Sequence, residues 1–244
     1  MAKWLKTNIY NFLFSGLSNN QLKIIAMISM FIDHLGLQIF PTESIYRIIG
    51  RIALPIFAYM IAEGCKYTRK RWLYLLKILS LGLICQVVYF IVDNGSLYQG
   101  ILITFSLSIG IIFTIDKFIN TKRIITKICM SFILAILGFI SIGLPIIFKN
   151  QGFIIDYGII GILMPVLIYY SKGKANKLRV LFMLIAFRGL FKGGIEHFNF
   201  LALPFLALYN EKRGKLKMKY AFYIFYPLHL VVIYAINILL YYLK

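Results

Sequence analysis

The sequence predicts an all-α polytopic membrane protein, a bundle of about nine transmembrane helices. First, 61% of its 244 residues are hydrophobic, whereas soluble domains are usually about 45–50% apolar. Second, apolar segments close to the roughly 20 residues that a helix needs to cross a bilayer recur along nearly the whole chain. Third, lysine and arginine are concentrated in alternate loops, as the positive-inside rule predicts for a membrane protein.

Nine spans account for the apolar segments and leave no soluble domain of useful size between them. We predict the spans at roughly 21–40, 45–65, 72–92, 100–116, 125–147, 153–170, 178–191, 194–210 and 219–243. The glycine-containing run at 188–194 interrupts the seventh and eighth, which are therefore expected to be short, tilted or re-entrant. No internal repeat or low-complexity linker is visible, so residues 21–244 are expected to form one transmembrane domain.

Residues 1–20 are predicted to form an interfacial segment rather than a cleaved signal. They contain Lys3 and Lys6 but neither a long apolar core nor a small-residue cleavage site. Trp4 and Phe12 instead suit a short amphipathic helix that lies on the membrane surface.

The net charge of +19, from 27 Lys and Arg against 8 Asp and Glu, is explained by topology. Most of the cations fall in five groups: Lys3, Lys6 and Lys23; Lys66, Arg69, Lys70 and Arg71; Lys117, Lys122, Arg123 and Lys127; Lys172, Lys174, Lys177 and Arg179; and Lys212, Arg213, Lys215, Lys217 and Lys219. Nine spans reproduce this alternation with the N-terminus in the cytoplasm and the C-terminus outside. We therefore expect a lipid bilayer as the partner and no nucleic acid.

The three cysteines are far apart and lie in apolar or helix-end positions: Cys65, Cys85 and Cys129. Neither a CxxC motif nor a Cys/His spacing typical of a metal centre is present. The sequence therefore predicts no metal site and no structural disulfide.

Two adjacent polar residues, Asp33 and His34, interrupt the first span. An Asp at a helix centre costs about 2.5–3.5 kcal/mol on insertion scales, so it normally faces a protein interior and a partner. If the first two spans form a hairpin that turns near residue 42, residue 33 comes level with Arg51. We predict an Asp33–Arg51 ion pair, with Arg47 one turn away on the same face. The alternative is that this pair only holds two helices together.

His34 adds a group suited to moving protons near neutral pH. In the same hairpin it comes level with Gly50, which is expected to leave open space beside the ring. Adjacent helix residues point about 100° apart, so another residue or a water is expected to support the imidazole instead of Asp33. A neutral histidine that only hydrogen-bonds between helices is the alternative.

A second polar cluster lies in the last span, in YIFYPLHLVVIY at residues 223–234. His229 is predicted near the membrane centre, and Pro227 removes a backbone N–H and is expected to kink the helix. Tyr226 adds a hydroxyl group. His229 is either a second proton-handling group or a packing histidine.

Three acidic residues have simpler structural interpretations. Glu63 ends the second span beside Lys66, where an end-of-helix salt bridge is expected. Asp156 opens the sixth span, and capping is expected because a helix N-terminus favours an anion. Glu196 follows a Gly-Gly break and is expected at a wet interfacial position.

Four stretches in order, LKIIAMISMFIDHLG, IGRIALPIFAYMIAEGCKYTRKR, LYNEKRG and YIFYPLHLVVIY, resemble the TraX family of integral-membrane proteins. The resemblance runs from residue 21 to about 235, with 100–200 matching mainly in hydropathy. The Asp-His pair, the Gly-Arg-x-Ala-x-Pro-x-Phe run and the Tyr-Pro-Leu-His run together make it specific. The sequence departs from the family at Glu211, where a glycine is expected in the Leu-Tyr-Asn-x-Lys-Arg-Gly run.

The resemblance implies an enzyme of a bacterial cytoplasmic membrane. The family is named for a conjugal-transfer protein that acetylates a pilin N-terminus, and it is distantly similar to membrane acyltransferases that use a histidine. The implied activity is transfer of an acetyl group from acetyl-CoA to an amine or hydroxyl of a membrane-associated or exported acceptor. A pilin-like peptide or a cell-surface molecule would be such an acceptor.

The resemblance also implies roles for the residues singled out above. His34 is the implied general base, and His229 is a second candidate for handling the proton. Arg51, held in place by Asp33, is the implied stabiliser of the oxyanion. The substrate-binding candidates are Arg47, Glu63, Tyr226 and Asp156. The candidates for the coenzyme A phosphates are Lys66, Arg69 and Arg213.

Two other functions fit the residues alone. A transporter or flippase would account for intramembrane charge and glycine-broken helices, although no inverted repeat is visible. A non-enzymatic assembly factor of a conjugation or secretion system would tolerate replacement of His34 and Arg51. The acceptor, the side of transfer, the acyl chain length and the oligomeric state stay open.

Overall fold

The computed structural model describes residues 16–42, 44–92, 95–214 and 219–243. In this part of the chain the α-helices are α1 (Asn19–Gln38), α2 (Ser44–Gly50), α3 (Ala53–Tyr67), α4 (Arg71–Val92), α5 (Ile101–Asn120), α6 (Ile124–Gly138), α7 (Leu144–Ile147), α8 (Gly158–Tyr170), α9 (Lys174–Lys192), α10 (Ala202–Ala207) and α11 (Lys219–Tyr242). Two short strands, β1 (Tyr98–Gln99) and β2 (Ile154–Ile155), pair in parallel. Residues 1–15 of the predicted interfacial segment lie outside the described residues.

Five helices within these ranges are long and apolar enough to cross a membrane. They are Ser44–Tyr67 (α2 and α3 taken together), Arg71–Val92, Ile101–Asn120, Ile124–Ile147 (from α6 through α7) and Ala221–Leu240. A shorter apolar helix is Gly158–Tyr170. The helices α1 and α9 have similar lengths but carry more polar side chains. The protein is therefore a helical membrane protein, as the composition predicts.

The chain breaks at Gly193 and Gly194, the last two residues of the run 188–194 in which a break was predicted. Helix α9 continues through Arg188 to Lys192, and Gly193 and Gly194 then adopt positive φ angles of 64° and 59°. Glycine tolerates these angles because it has no Cβ. The segment predicted as one span at 194–210 is instead a 3₁₀ helix, Gly194–Leu201, followed by the short α10.

The hairpin of α1 and α2 forms close to the predicted register, with Gly50 against Asp33 rather than His34, and two glycines permit its close contact. A Cβ on Gly36 would overlap Tyr46, and a Cβ on Gly50 would overlap the side chain of Asp33. Small residues let membrane helices approach in this way. The open space predicted beside His34 at Gly50 is wrong, because Asp33 fills it.

A proline explains why α2 and α3 are separate helices. Pro55 has no N–H, so it cannot bond to the carbonyl of Arg51 four residues earlier. The backbone turns there through i→i+3 bonds, from Arg51 N–H to Ile48 and from Ile52 N–H to Ile49, each 3.2 Å long. Arg51 therefore lies at a break between helices.

Helix α3 forms the centre of the bundle, and α6 lies at its edge. Most side chains of α3 are buried, and it packs against α1, α5, α8 and α10. In contrast, only 6% of the most apolar window of Ile124–Ile147 is buried inside the protein. Exposed side chains such as Ile125 and Phe132 make this a surface suited to lipid.

The end of the bundle where α3 ends and α4 begins, called the basic end below, carries the loops rich in Lys and Arg. Two ion pairs join helices there, Arg71 with Asp116 at 2.9 Å and Lys177 with Glu63 at 2.5 Å. Two tyrosine hydroxyls at the end of α8 also donate to Asp116. These contacts hold α3, α4, α5, α8 and α9 together.

Candidate active site

A cavity of about 410 Å³ lies toward the end opposite the basic end, and we call it the His34 cavity. Its lining includes six of the site residues predicted from sequence: Asp33, His34, Arg47, Arg51, Asp156 and Tyr226. They come from α1, from α2 and the turn after it, from the segment after β2, and from α11. Folding therefore brings together groups that are widely separated in the chain.

The predicted Asp33–Arg51 ion pair is confirmed, but it is the longer of two pairs that Asp33 makes. Arg51 Nη2 lies 3.7 Å from Asp33 Oδ1, whereas Arg47 Nη1 lies 2.8 Å from Asp33 Oδ2. Arg47 is therefore the closer partner of the carboxylate, which leaves Arg51 available for another anion.

That other anion is Glu196, which sequence reasoning missed. Arg51 Nη1 donates to Glu196 Oε1 at 3.0 Å, and Arg188 Nε donates to Oε2 at 2.7 Å. The wet surroundings expected for Glu196 are wrong, since its side chain is only 14% exposed and is held by two arginines. An acid two residues after a Gly-Gly break, in a chain with only 8 acids, was the available signal.

The ring of His34 is oriented by its own helix. Its Nδ1 lies 2.9 Å from the carbonyl oxygen of Met30. A carbonyl only accepts hydrogen bonds, so Nδ1 carries the proton and Nε2 of the neutral ring keeps a lone pair. The hydroxyl of Tyr89 lies 3.4 Å from that Nε2. The supporting group that the sequence left unnamed is thus a backbone carbonyl one turn away.

His229 repeats this arrangement beside His34. Its Nδ1 lies 3.1 Å from the carbonyl oxygen of Phe225, and the two imidazole centroids are 5.0 Å apart, edge to face. His229 is 3% exposed, and its Nε2 has no hydrogen-bond partner among the described residues. It does not line the His34 cavity directly but lies behind His34, in a helix that runs through Pro227.

Asp156 has a different role from the one predicted. Helix α8 begins at Gly158 with Tyr157 as its N-cap, and no side chain caps it. The Asp156 carboxylate instead accepts a hydrogen bond from Tyr98 of β1 and faces the His34 cavity. The prediction of a capping role for Asp156 is therefore wrong.

A second cavity of about 580 Å³ reaches the basic end, and we call it the Glu63 cavity. Glu63, Lys23 and Arg213 are among the residues that line it. Lys66 and Arg69, predicted to bind phosphate, are exposed and line neither cavity.

The salt bridge predicted between Glu63 and a residue at its own helix end is also wrong. Its partner is Lys177 of α9, and the two side chains are only 2% and 5% exposed. The second oxygen of the carboxylate, Oε2, has no hydrogen-bond partner among the described residues. Lys177 also lies over the ring of Tyr59, 5.4 Å from its centroid.

The backbone at Glu211 explains why a glycine is expected there. Glu211 adopts a φ of 57°, in the left-handed region that side chains with a Cβ disfavour. Its loop binds the start of α1, since Leu17 N–H donates to Leu208 and Asn210 N–H donates to Leu17, at 2.7 and 2.9 Å. Glu211 also lines the Glu63 cavity.

The two cavities meet at two side chains, Phe57 and Tyr226, which line both of them. An aromatic series continues from this junction, with centroid distances of 5.6 Å from Phe57 to Phe222 and 5.9 Å from Phe222 to Tyr226. Tyr226 and His229 follow at 5.5 Å, with perpendicular rings. The junction therefore lies directly beside the two histidines.

Fold and site together define a polytopic membrane protein with two cavities that share the side chains of Phe57 and Tyr226, beside two histidines. The model of the TraX protein family matches residues 18–237, so the chain belongs to the TraX family. This confirms the resemblance carried by the Asp-His and Tyr-Pro-Leu-His runs.

Two curated proteins resemble the chain. A probable fimbrial assembly protein FimC, serogroup H1, of Dichelobacter nodosus is 26% identical over 87% of this chain and 93% of its own length. An uncharacterized protein of Rickettsia prowazekii (strain Madrid E) is 30% identical over 65% of this chain and 58% of its own length. No solved structure matches the chain.

Proposed function

We propose that the chain is an integral-membrane acetyltransferase that moves an acetyl group from acetyl-CoA to an amine or hydroxyl of a membrane-associated or exported acceptor. The observation that carries the proposal is the meeting of two cavities at Phe57 and Tyr226, beside two histidines. The cavities extend toward opposite ends of the bundle. Donor and acceptor can therefore approach from opposite sides of the membrane.

The topology that we propose has nine spans, the eighth formed by the 3₁₀ helix Gly194–Leu201 and α10 together, with the N-terminus in the cytoplasm and the C-terminus outside. It puts the basic end in the cytoplasm, as the positive-inside rule requires. The ion pairs support this assignment. Glu63 pairs with a residue assigned to the inner side, and Asp33 and Glu196 pair with residues assigned to the outer side.

Acetyl-CoA then enters the Glu63 cavity from the cytoplasm. Lys23 and Arg213 line this cavity and are suited to the phosphates of the donor. The aromatic and aliphatic side chains deeper in the cavity suit the pantetheine arm. Lys66 and Arg69 lie outside the cavity, so we assign them attraction of an anionic donor to this surface rather than direct contact.

The transfer step uses the lone pair of His34. The acceptor nitrogen or oxygen attacks the thioester carbonyl carbon, and Nε2 of His34 takes the proton that the acceptor loses. The C–S bond then breaks, and coenzyme A leaves as a thiolate that takes this proton from the imidazolium. A general base of this kind typically contributes about 10²–10⁴ in rate.

A pilin-like peptide is the acceptor that we favour, and the likeness to a probable fimbrial assembly protein supports it. It would reach the His34 cavity from the outer side. Its N-terminal amine has an ordinary pKa near 7.7–8.0, so a fraction is neutral and nucleophilic at working pH. The charged groups that line the cavity, Asp33, Arg47, Arg51 and Asp156, would orient it.

The same relative also supports a second candidate, a non-enzymatic assembly factor. Two cavities that meet inside a bundle would likewise suit a transporter. Both alternatives predict no acetyl transfer, which separates them from the proposal.

The test is transfer of labelled acetyl groups from acetyl-CoA in vesicles that contain the protein, with cell peptides and lipids as acceptors. We expect protein-dependent label incorporation that falls about 10²–10⁴-fold in His34→Ala and also falls in His229→Ala. His197→Ala is the matched control, because this third histidine is exposed and lines neither cavity. Well-folded protein that labels no acceptor would reject the acetyltransferase.

A further inference from the structure

One of the two side chains that line both cavities carries a hydroxyl group. Tyr226 lines both cavities, and within the described residues it shares this position only with Phe57. Because Phe57 has no polar side-chain atom, Tyr226 supplies the polar side-chain group at the junction. A thioester presented from the Glu63 cavity to an acceptor in the His34 cavity would have its carbonyl group near this residue.

The hydroxyl is buried and has no partner in the part of the chain that the structure describes. Tyr226 is 5% exposed, and its Oη makes no hydrogen bond to any described residue. Burying a hydroxyl without a hydrogen bond is unfavourable, so buried hydroxyls normally have one. The hydroxyl therefore lacks an acceptor, and a ligand in the cavities that Tyr226 lines would supply one after a small rotation of the side chain.

Arg51, the oxyanion stabiliser implied by the resemblance, is placed differently. Its Nη1 and Nη2 are paired with Glu196 and Asp33, and only its Nε is without a hydrogen-bond partner among the described residues. It lines the His34 cavity but not the Glu63 cavity. Tyr226 lines both cavities and its hydroxyl carries no ion pair to be broken, so it is the better-placed donor.

We propose that Tyr226 is the oxyanion donor of this acetyltransferase, its hydroxyl donating a hydrogen bond to the thioester carbonyl oxygen. This inference rests on the proposed function. When the acceptor attacks the carbonyl carbon, the C=O electron pair moves to that oxygen, and the hydrogen bond stabilises the negative charge. When the C–S bond breaks, the C=O bond re-forms and the charge leaves on the coenzyme A thiolate. Tyr226 keeps its own proton throughout.

The perpendicular contact with His229 gives Tyr226 a fixed orientation. The two ring centroids are 5.5 Å apart, and the edge-to-face contact of His229 with His34 follows at 5.0 Å. Aromatic pairs at these separations favour such perpendicular arrangements. The oxyanion donor and the two candidate bases thus form one packed series across α11 and α1.

The experiment compares Tyr226→Phe with wild-type protein in vesicles, with acetyl-CoA as donor and a synthetic pilin-type peptide with a free N-terminus as acceptor. We expect kcat to fall by about 10²–10³, with KM for acetyl-CoA nearly unchanged. Tyr242→Phe is the control on the same helix, because Tyr242 is 81% exposed and lines neither cavity. It should leave both constants unchanged.

Thermal stability distinguishes catalysis from a structural role. The hydroxyl of Tyr226 has no described protein partner, so Tyr226→Phe should melt at or above the wild-type temperature. An unchanged kcat, a rise in KM alone, or a clear loss of thermal stability would overturn the oxyanion role while leaving the acetyltransferase intact. A wild-type protein that transfers no acetyl group would reject the proposed function itself.

Discussion

The two cavities hold their buried charges in different ways. Around the His34 cavity each of two carboxylates has two arginines and they share Arg51: Asp33 pairs with Arg47 and Arg51, and Glu196 pairs with Arg51 and Arg188. In the Glu63 cavity one carboxylate pairs with one lysine from a distant helix. A shared network keeps a partner for each anion when one cation is removed, whereas a single pair does not. The Glu63 cavity should therefore be the more fragile of the two.

The largest expected effect is at the single pair. Lys177→Met leaves the carboxylate of Glu63 buried without its cation, and breaking a buried pair in this way costs about 3–5 kcal/mol of the free energy of unfolding. Arg188→Met should cost less, because Arg51 stays 3.0 Å from Glu196. Both losses are measured by reversible unfolding in mixed micelles.

A double variant is the control for this comparison. Glu63→Gln/Lys177→Met removes both charges together, so most of the stability lost in Lys177→Met should return. Equal losses in Lys177→Met and Arg188→Met would contradict the distinction between a single pair and a shared network.

A smaller effect is expected at the hairpin that supports the His34 cavity. Gly50→Ala places a Cβ where the side chain of Asp33 lies, so the helices must separate, at a cost of about 1–3 kcal/mol. Gly138→Ala is the matched control, since a Cβ there meets nothing within 4 Å. Melting temperature is the readout, and equal values for the two variants would show that this contact is loose.

The smallest effect is expected in the loop beside the Glu63 cavity. Glu211 has a φ of 57°, so Glu211→Gly should stabilise the protein by about 1 kcal/mol by removing left-handed strain. Glu211→Gln keeps the Cβ and removes only the charge, so it should not share this gain. A glutamine variant as stable as the glycine variant would assign the effect to charge instead.

The parts of the site that the sequence predicted correctly belong to one hairpin. Asp33 and Arg51 are joined by a short turn, and the constant rise per residue sets which positions come level. Rise per residue shows which backbone positions lie side by side, but it does not show where side chains point. It therefore could not reveal that the side chain of Asp33 occupies the space at Gly50 that was predicted to lie open beside His34. The break at Arg51 could be anticipated from Pro55, which acts on its own helix.

The contacts that the sequence did not predict join distant helices. The pairing of Lys177 with Glu63 and of Glu196 with Arg51 depends on how α9 and the segment after it pack against α3 and α2. No local spacing encodes that packing. Lys177 was assigned to a basic loop by topology, and its burial against a carboxylate became visible only in the folded bundle.

The amino-acid sequence alone established that this is a membrane protein, because composition and the alternation of cations report local hydrophobicity and charge. It also established that His34 lies in a hairpin with charged side chains, because helix geometry is fixed. The tertiary structure alone decided which arginine neutralises which acid, put His229 behind His34, and made Phe57 and Tyr226 the junction of two cavities. Those features arise where helices far apart in sequence pack together, and only their three-dimensional arrangement determines the neighbours.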